Sequence, residues 1–298
     1  MKKNLVMSIA TNYRFYQLEP FVRSLRNTGF DGDIIIFCDN LNEDTVNKLL
    51  EYKVILKRFD QKKYEKKRIH IMNYRFKFYY DLLLKNHNKY ENVLIADVRD
   101  IVFQKDPFDY SGYAPINYFF EANKIKDCKI NSYVFGKVSS PNEFKKYSKN
   151  NISCAGTTIG NTKEILNYLK IMSNKLKEEQ LPIDQGYHNY IFHSRKIKNS
   201  KGFYNLKGPV LTLASMKEVK FNKNGDLINR DGSIVNIVHQ YDRNLRLLYK
   251  FNTLTSFTLS FSKLTIIKIK RRIKITLFNL PFWGKYFRKR YHDPTRFA

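Results

Sequence analysis

The stretch Val93-Leu94-Ile95-Ala96-Asp97-Val98-Arg99-Asp100-Ile101-Val102-Phe103-Gln104-Lys105-Asp106-Pro107-Phe108 decides how this chain is read. An apolar run leads straight into two carboxylates, and a second apolar segment follows, closed by Asp106-Pro107. A short, continuous apolar run fits a strand of a sheet covered on both faces. Ligands of such sheets bind at the carboxyl ends of the strands, so Asp97 and Asp100 stand where chemistry is expected. Two carboxylates there suit a hard divalent cation, which prefers oxygen ligands. The competing reading has Asp97 cap the following turn and pairs Asp100 with Arg99 or Arg75.

Upstream of this stretch, strand patterns at 5–10, 33–37 and 54–56 alternate with helix patterns at 20–28, 43–50 and 67–84, and Gly29 stands as a helix C-cap. Strands separated by helices of this length need crossover connections, which predicts a parallel, doubly wound α/β core. Thr11-Asn12-Tyr13 ends the first strand, so a second polar cluster falls at the same edge as Asp97. Downstream, 117–121 and 132–135 read as strands and 153–160 is small and polar. Helix patterns follow at 162–172 and 184–193, and late strands at 210–213 and 234–238. No repeat and no Pro/Gly/Ser linker divides the chain. The expected division is a body at 1–245 and a basic, aromatic extension at 246–298.

The 298 residues carry 54 basic against 27 acidic side chains, a net charge of +27 that attracts polyanions: nucleic acid, anionic lipid or phosphorylated small molecules. With 43% hydrophobic residues and a mean hydropathy of −0.51, a soluble body with a sizeable core is expected. No run of about 18 apolar residues suggests a membrane-spanning helix. The N-terminal apolar run is too short for a secretory signal and reads as a buried strand. Cys38, Cys128 and Cys154 are far apart and show no C-x-x-C spacing, which argues against a disulfide framework or a zinc cluster and for reduced thiols, hence a cytoplasmic location.

Taken in chain order, these segments resemble the nucleotide-sugar glycosyltransferases of the GT-A type, whose Asp-x-Asp motif lies at the end of the fourth strand. Here the carboxylates are three apart, as in subfamilies with Asp-x-x-Asp followed by Asp-Pro-Phe, and Arg99 stands where a second Asp could. The departure leaves open which carboxylate meets the metal. The resemblance spans roughly residues 4–243 and implies a Rossmann-like, doubly wound mixed sheet. It implies that Ala10, Thr11, Asn12 and Tyr13 grip the base and ribose, that Arg75 lies near the nucleotide or the motif carboxylates, and that Asp97 and Val98 contact the donor. Cys154-Ala155-Gly156-Thr157-Thr158-Ile159-Gly160 is similar to the segment that lines the donor sugar, which singles out Gly156; by itself it would read as a turn. Asp184-Gln185 resembles the Asp-Gln helix start that faces the reacting sugar. Asp184 there is a general base in an inverting reaction or orients the donor in a retaining one; alternatively it is an N-cap. His239, at the end of a late strand, corresponds to a third metal ligand beside Asp97 and Asp100, and a His suits Mn²⁺ better than Mg²⁺. Arg243 then contacts the diphosphate or is simply solvated, and Glu121 is a further acid candidate.

From 243 to 292 there is no Asp or Glu and there are thirteen Lys and Arg, interleaved with Ile, Leu, Phe and Trp283. Such a segment fits an anionic membrane surface, with each cation contributing about 1 kcal/mol. The resemblance implies a nucleotide-sugar donor and a glycan or lipid-linked glycan acceptor as partners, and the basic segment adds an anionic membrane. The charge also suits a nucleic-acid-binding protein, but no helix-turn-helix, RRM or zinc-finger pattern is present. A nucleotidyltransferase would need a Gly-rich basic loop after the first strand, which Thr11-Asn12-Tyr13-Arg14 does not provide.

Overall fold

A computed structural model describes residues 2–216 and 218–252. Its first half alternates as the sequence predicts: β1 (Lys3–Thr11), α1 (Phe15–Asn27), β2 (Asp33–Asp39), α2 (Glu43–Glu51), β3 (Val54–Arg58), α3 (Gln61–Lys66), α4 (Ile71–Asn86) and β4 (Tyr90–Ala96). Then come β5 (Ile101–Phe103), β6 (Ile116–Lys124), α5 (Lys129–Val138), α6 (Pro141–Tyr147), β7 (Asn151–Asn161), α7 (Thr162–Leu176) and α8 (Asp184–His193). The chain continues through β8 (Ser200–Phe203), β9 (Val210–Thr212), β10 (Lys220–Phe221), β11 (Leu227–Ile228), β12 (Ile237–His239) and α9 (Leu245–Asn252).

Seven strands form one mixed sheet in the order β3-β2-β1-β4-β7-β6-β8. Strands β1 to β4 are mutually parallel, as crossover helices require, whereas β7 runs antiparallel to both β4 and β6. The architecture is α/β and compatible with a Rossmann-like fold. One sheet face packs α1 and α2 through Leu18, Phe21, Leu25 and Leu49; the other packs α4, α7 and α8 through Phe76, Tyr79, Tyr168 and Ile191. The sheet is thus covered on both sides, which explains the continuous apolar strands. A second sheet, β5-β12-β9, sits beyond the end of β4.

Several local expectations are corrected. Residues 132–135 are helical, within α5, and not a strand: Ser-Tyr-Val-Phe is a β-favouring run, but Val134 and Phe135 lie on one helical face and are buried. The helix expected at 67–84 starts later, as α4 at Ile71: residues 67–70 turn away from α3, Arg68 is left-handed (φ 56), and His70 caps α4 by accepting from the Met72 amide. The 153–160 segment is the interior of β7 and not a turn. Helix α1 begins at Phe15, so Pro20 lies inside it and does not open it. The expected boundary at 245 is crossed by α9, whose Leu247 and Phe251 bury against Val102, Leu211 and Val238. Of the expected extension, residues 253–298 lie outside the described residues, and with them the membrane-contact reading of that segment. All three cysteines are free thiols, and among the described residues no helix is long and apolar enough to cross a membrane.

Between β7 and the α7–α8 layer lies a buried polar network. His188 hydrogen-bonds Tyr168 Oη through Nδ1 (2.8 Å) and Ser153 Oγ through Nε2 (2.9 Å). Burial, then the charges of His193 and Arg75, push its pKa from 6.5 down to about 3. The unfolded chain therefore takes up this proton first as pH falls. Stability is complete above about 6.5 and is lost progressively as pH falls towards about 3. Between pH 7.5 and 5 this group should cost about 2 kcal/mol, and the His188→Gln variant should lack that increment. Urea unfolding of both proteins at the two pH values checks it; equal pH slopes would remove His188 from the account.

Candidate metal centre

Strand β4 delivers Asp97 and, after a short turn, Asp100. Pairing of β12 with β5 places His239 opposite Ile101, one residue from Asp100, and pairing with β9 braces it from the other side. The backbone at the junction is pinned as well: Gln240, left-handed at φ 62, donates its amide to the Asp100 carbonyl, and the Asp97 amide donates to the Gly156 carbonyl at 2.9 Å. Two expected features thus meet through sheet register and not through sequence proximity.

His239 Nε2 lies 3.6 Å from Asp100 Oδ1 and 3.9 Å from Asp97 Oδ2. These are too long for hydrogen bonds, and Nε2 is buried with no hydrogen-bond partner. Ligand atoms of all three residues lie within 4.8 Å of one another. Two atoms about 2.1 Å from one ion are about 3.0 Å apart when cis and about 4.2 Å when trans, so the spacing fits one shared cation. The orphaned Nε2 gains a partner in the same step. Thr157 Oγ1, 3.3 Å from His239 Nδ1, engages the other ring nitrogen and leaves Nε2 aimed at the carboxylates.

Gly156 makes this convergence possible. A Cβ there would stand 2.5 Å from Asp97 Oδ2 and 2.5 Å from His239 Cε1. Its φ is not left-handed, so the requirement is space and not backbone freedom. Gly156→Ala should fold, yet push the carboxylate and the imidazole apart and weaken Mn²⁺ binding by 10- to 100-fold, roughly the cost of a disturbed outer-shell contact. A titration followed by the electron paramagnetic resonance signal of free Mn²⁺ reads this directly; unchanged affinity would show that the cation sits elsewhere.

Arg75 underlies the site. It is 4% exposed, bonds Asp97 Oδ1 at 2.9 Å through one amino group and Asp184 Oδ2 at 2.8 Å through the other. Burial alone would disfavour its charge, but the two carboxylates outweigh that and hold its pKa above the ordinary arginine range. Asp184 is consequently not a helix cap: Ile183 occupies the cap position, and no side chain caps α8. Nor does Asp100 pair with Arg75; Arg99 lies instead 3.7 Å from Asp242. The three aspartates and one guanidinium leave a charge of about minus two when His239 is neutral, which a divalent cation offsets. Burial raises the pKa of Asp100 and lowers that of His239, but neighbouring charge overrides both: His239 holds Asp100 below the usual carboxylate range, and Cys154, then Asp100, raise His239 well above its own. The Cys154 thiol beside His239 is raised by burial and stays neutral at physiological pH.

The other expected residues surround this core. Val98 is buried at 3% exposure and packs beneath the turn. Tyr13 is half-buried; burial raises its phenol, Arg99 lowers it, and Asp97, Asp100 and Asp242 add to the rise. Ala10 is buried at the end of β1, with Thr11 half-exposed and Asn12 exposed beyond it. Asn12 (φ 59) and Asn40 (φ 50) both turn left-handed at the ends of β1 and β2, and the Asn40 amide donates to Asn12 Oδ1. Gln185 accepts from the Ala155 amide at 2.9 Å and donates to the Ser153 carbonyl, so its side chain ties α8 to β7. Glu121 ends the buried part of β6; burial raises its carboxyl, against the pull of Arg243 and His239. Arg243 is exposed within reach of these charges. Cys154 and Thr157 belong to the segment likened to the donor-sugar lining but were not singled out; Thr157, paired with Ala96 at the end of β4, meets His239 only in the folded chain.

No protein-family model and no curated protein matches the chain.

Proposed function

We propose that this protein is a metal-dependent glycosyltransferase of the GT-A type that moves a sugar from a nucleoside-diphosphate donor to a glycan hydroxyl. The observation that carries the reading is the convergence of Asp97, Asp100 and His239 at the carboxyl edge of the sheet, with buried Nε2 lacking a partner. These residues would hold Mn²⁺ or Mg²⁺, and the imidazole favours Mn²⁺. When bound, such a cation neutralises the diphosphate and stabilises its departure. The chain's own residues supply the rest. Asn12 and Tyr13, beyond the end of the neighbouring strand β1, would meet base and ribose. Arg75 fixes both Asp97 and Asp184, so Asp184 would orient the donor sugar. Glu121, whose carboxyl burial raises beside His239 and Arg243, is a second candidate base for an acceptor hydroxyl. The strand order, with parallel β1 to β4 followed by antiparallel β7, is compatible with this family's mixed sheet.

A thermal-shift screen tests the reading. UDP, GDP, CMP and their sugars are each added with Mn²⁺ or with EDTA. A nucleotide that raises the melting temperature only with Mn²⁺ supports a metal-clamped donor. If no nucleotide shifts it, while RNA binds with a steep salt dependence, the polyanion reading replaces it.

A further inference from the structure

Helix α5 leaves a face that the described fold does not use. Its inner side is committed: Val134 and Phe135 are buried, and Phe135 packs with Ile125 and Ile152. A Cβ on Gly186 would stand 2.5 Å from the Val134 carbonyl oxygen, so α5 is pressed against the first turn of α8, two residues from Asp184. Its outer side exposes Ile130 at 57% and Tyr133 at 54%, which are neighbours at i,i+3. Lys137 lies over the Tyr133 ring, 5.4 Å from its centre. Lys126 and Lys129 are exposed beside it. Between residues 122 and 150 there are seven lysines and only two acids, Asp127 and Glu143.

We infer that the outer face of α5 docks on an anionic lipid surface, with Ile130 and Tyr133 entering the interface and the flanking lysines meeting the headgroups. Apolar and aromatic side chains ringed by cations are what such an interface selects, since the rings and aliphatic groups enter the headgroup boundary while the ammonium groups stay in water. The residues of this chain beyond 252 are a poor cover for the patch. They carry eleven Lys and Arg and a single acid, Asp293, so they share its charge. An acidic partner meets the lysines, and a bilayer is one that also takes up exposed Ile and Tyr. Because α5 touches the α8 turn that bears Asp184, docking there sets the metal centre beside the membrane surface.

The test uses the full chain and sedimentation with vesicles of phosphatidylcholine alone or with about 30% phosphatidylglycerol. The intact protein should sediment with the anionic vesicles and not with the neutral ones. The double variant Ile130→Ser, Tyr133→Ser should partition at least about tenfold less, given two lost interfacial anchors, with an unchanged melting temperature. Lys129→Glu with Lys137→Glu should give a loss of similar direction that is abolished by salt. Partitioning unaffected by both pairs, equal binding to neutral vesicles, or no vesicle binding at all would each overturn the inference. None of these outcomes bears on sugar transfer, which is read in solution with a soluble acceptor.

Discussion

Replacing Asp100 by Asn, or His239 by Ala, is expected to lower sugar transfer by about 10³-fold, the upper range for loss of one pre-positioned charge in a catalytic site. The two positions are not redundant. Asp100 is buried and supplies negative charge, whereas His239 supplies a buried Nε2 that has no hydrogen-bond partner. Losing either leaves two protein ligands, so the cation would be held more weakly and less well oriented. Neither change should unfold the protein, because the local backbone is held by other bonds: Gln240 to Asp100 and Leu213 to His239 are amide-to-carbonyl contacts that survive the substitution. Transfer assays with Mn²⁺, run beside circular dichroism melts, check both parts. Normal transfer by a folded Asp100→Asn protein would remove that residue from the mechanism.

The second large effect is on stability. Arg75→Met should cost about 3–5 kcal/mol, the range for breaking a buried ion pair by removing one partner. Asp97 and Asp184 would then face each other without the guanidinium that both touch. Methionine fills much of the volume, so the loss is electrostatic and not a cavity effect. Mn²⁺ should recover part of it, since a cation at Asp97 offsets the same charge. Urea midpoints with and without Mn²⁺ measure the loss and the recovery. A change below about 1 kcal/mol, the range of a surface pair, would mean that the bridge is not what holds the two carboxylates.

The fold was legible where apolar runs are unambiguous. The strands that became β1, β2 and β4 are each buried on both faces, so their composition leaves little choice, and polar residues at their ends mark the edge. Legibility fails where tertiary contacts decide. Residues 132–135 have strand composition, and only burial of Val134 and Phe135 against neighbouring elements makes them a helix. Within the site, Asp97, Asp100 and His239 stood out from strand ends and chain order. Gly156 stood out as a glycine able to approach a ligand, whereas its observed constraint is the Asp97 and His239 side chains that fill the Cβ position. Arg75 was set by the resemblance near the nucleotide or the motif carboxylates, which left open which of them it holds. Its double bridge spans 22 residues to Asp97 and 109 to Asp184, a distance over which no sequence pattern operates. The same holds for Thr157 and His239, which are 82 residues apart.

Release of nucleoside diphosphate is the most direct measure of the central claim. UDP- and GDP-sugars are incubated with the protein and Mn²⁺, with EDTA, and with the His239→Ala variant, and free UDP or GDP is counted. Turnover of one donor that requires both the metal and His239 is the expected result. Turnover that persists in EDTA and in the variant, or no turnover of any donor by protein that binds Mn²⁺ at this centre, would contradict it.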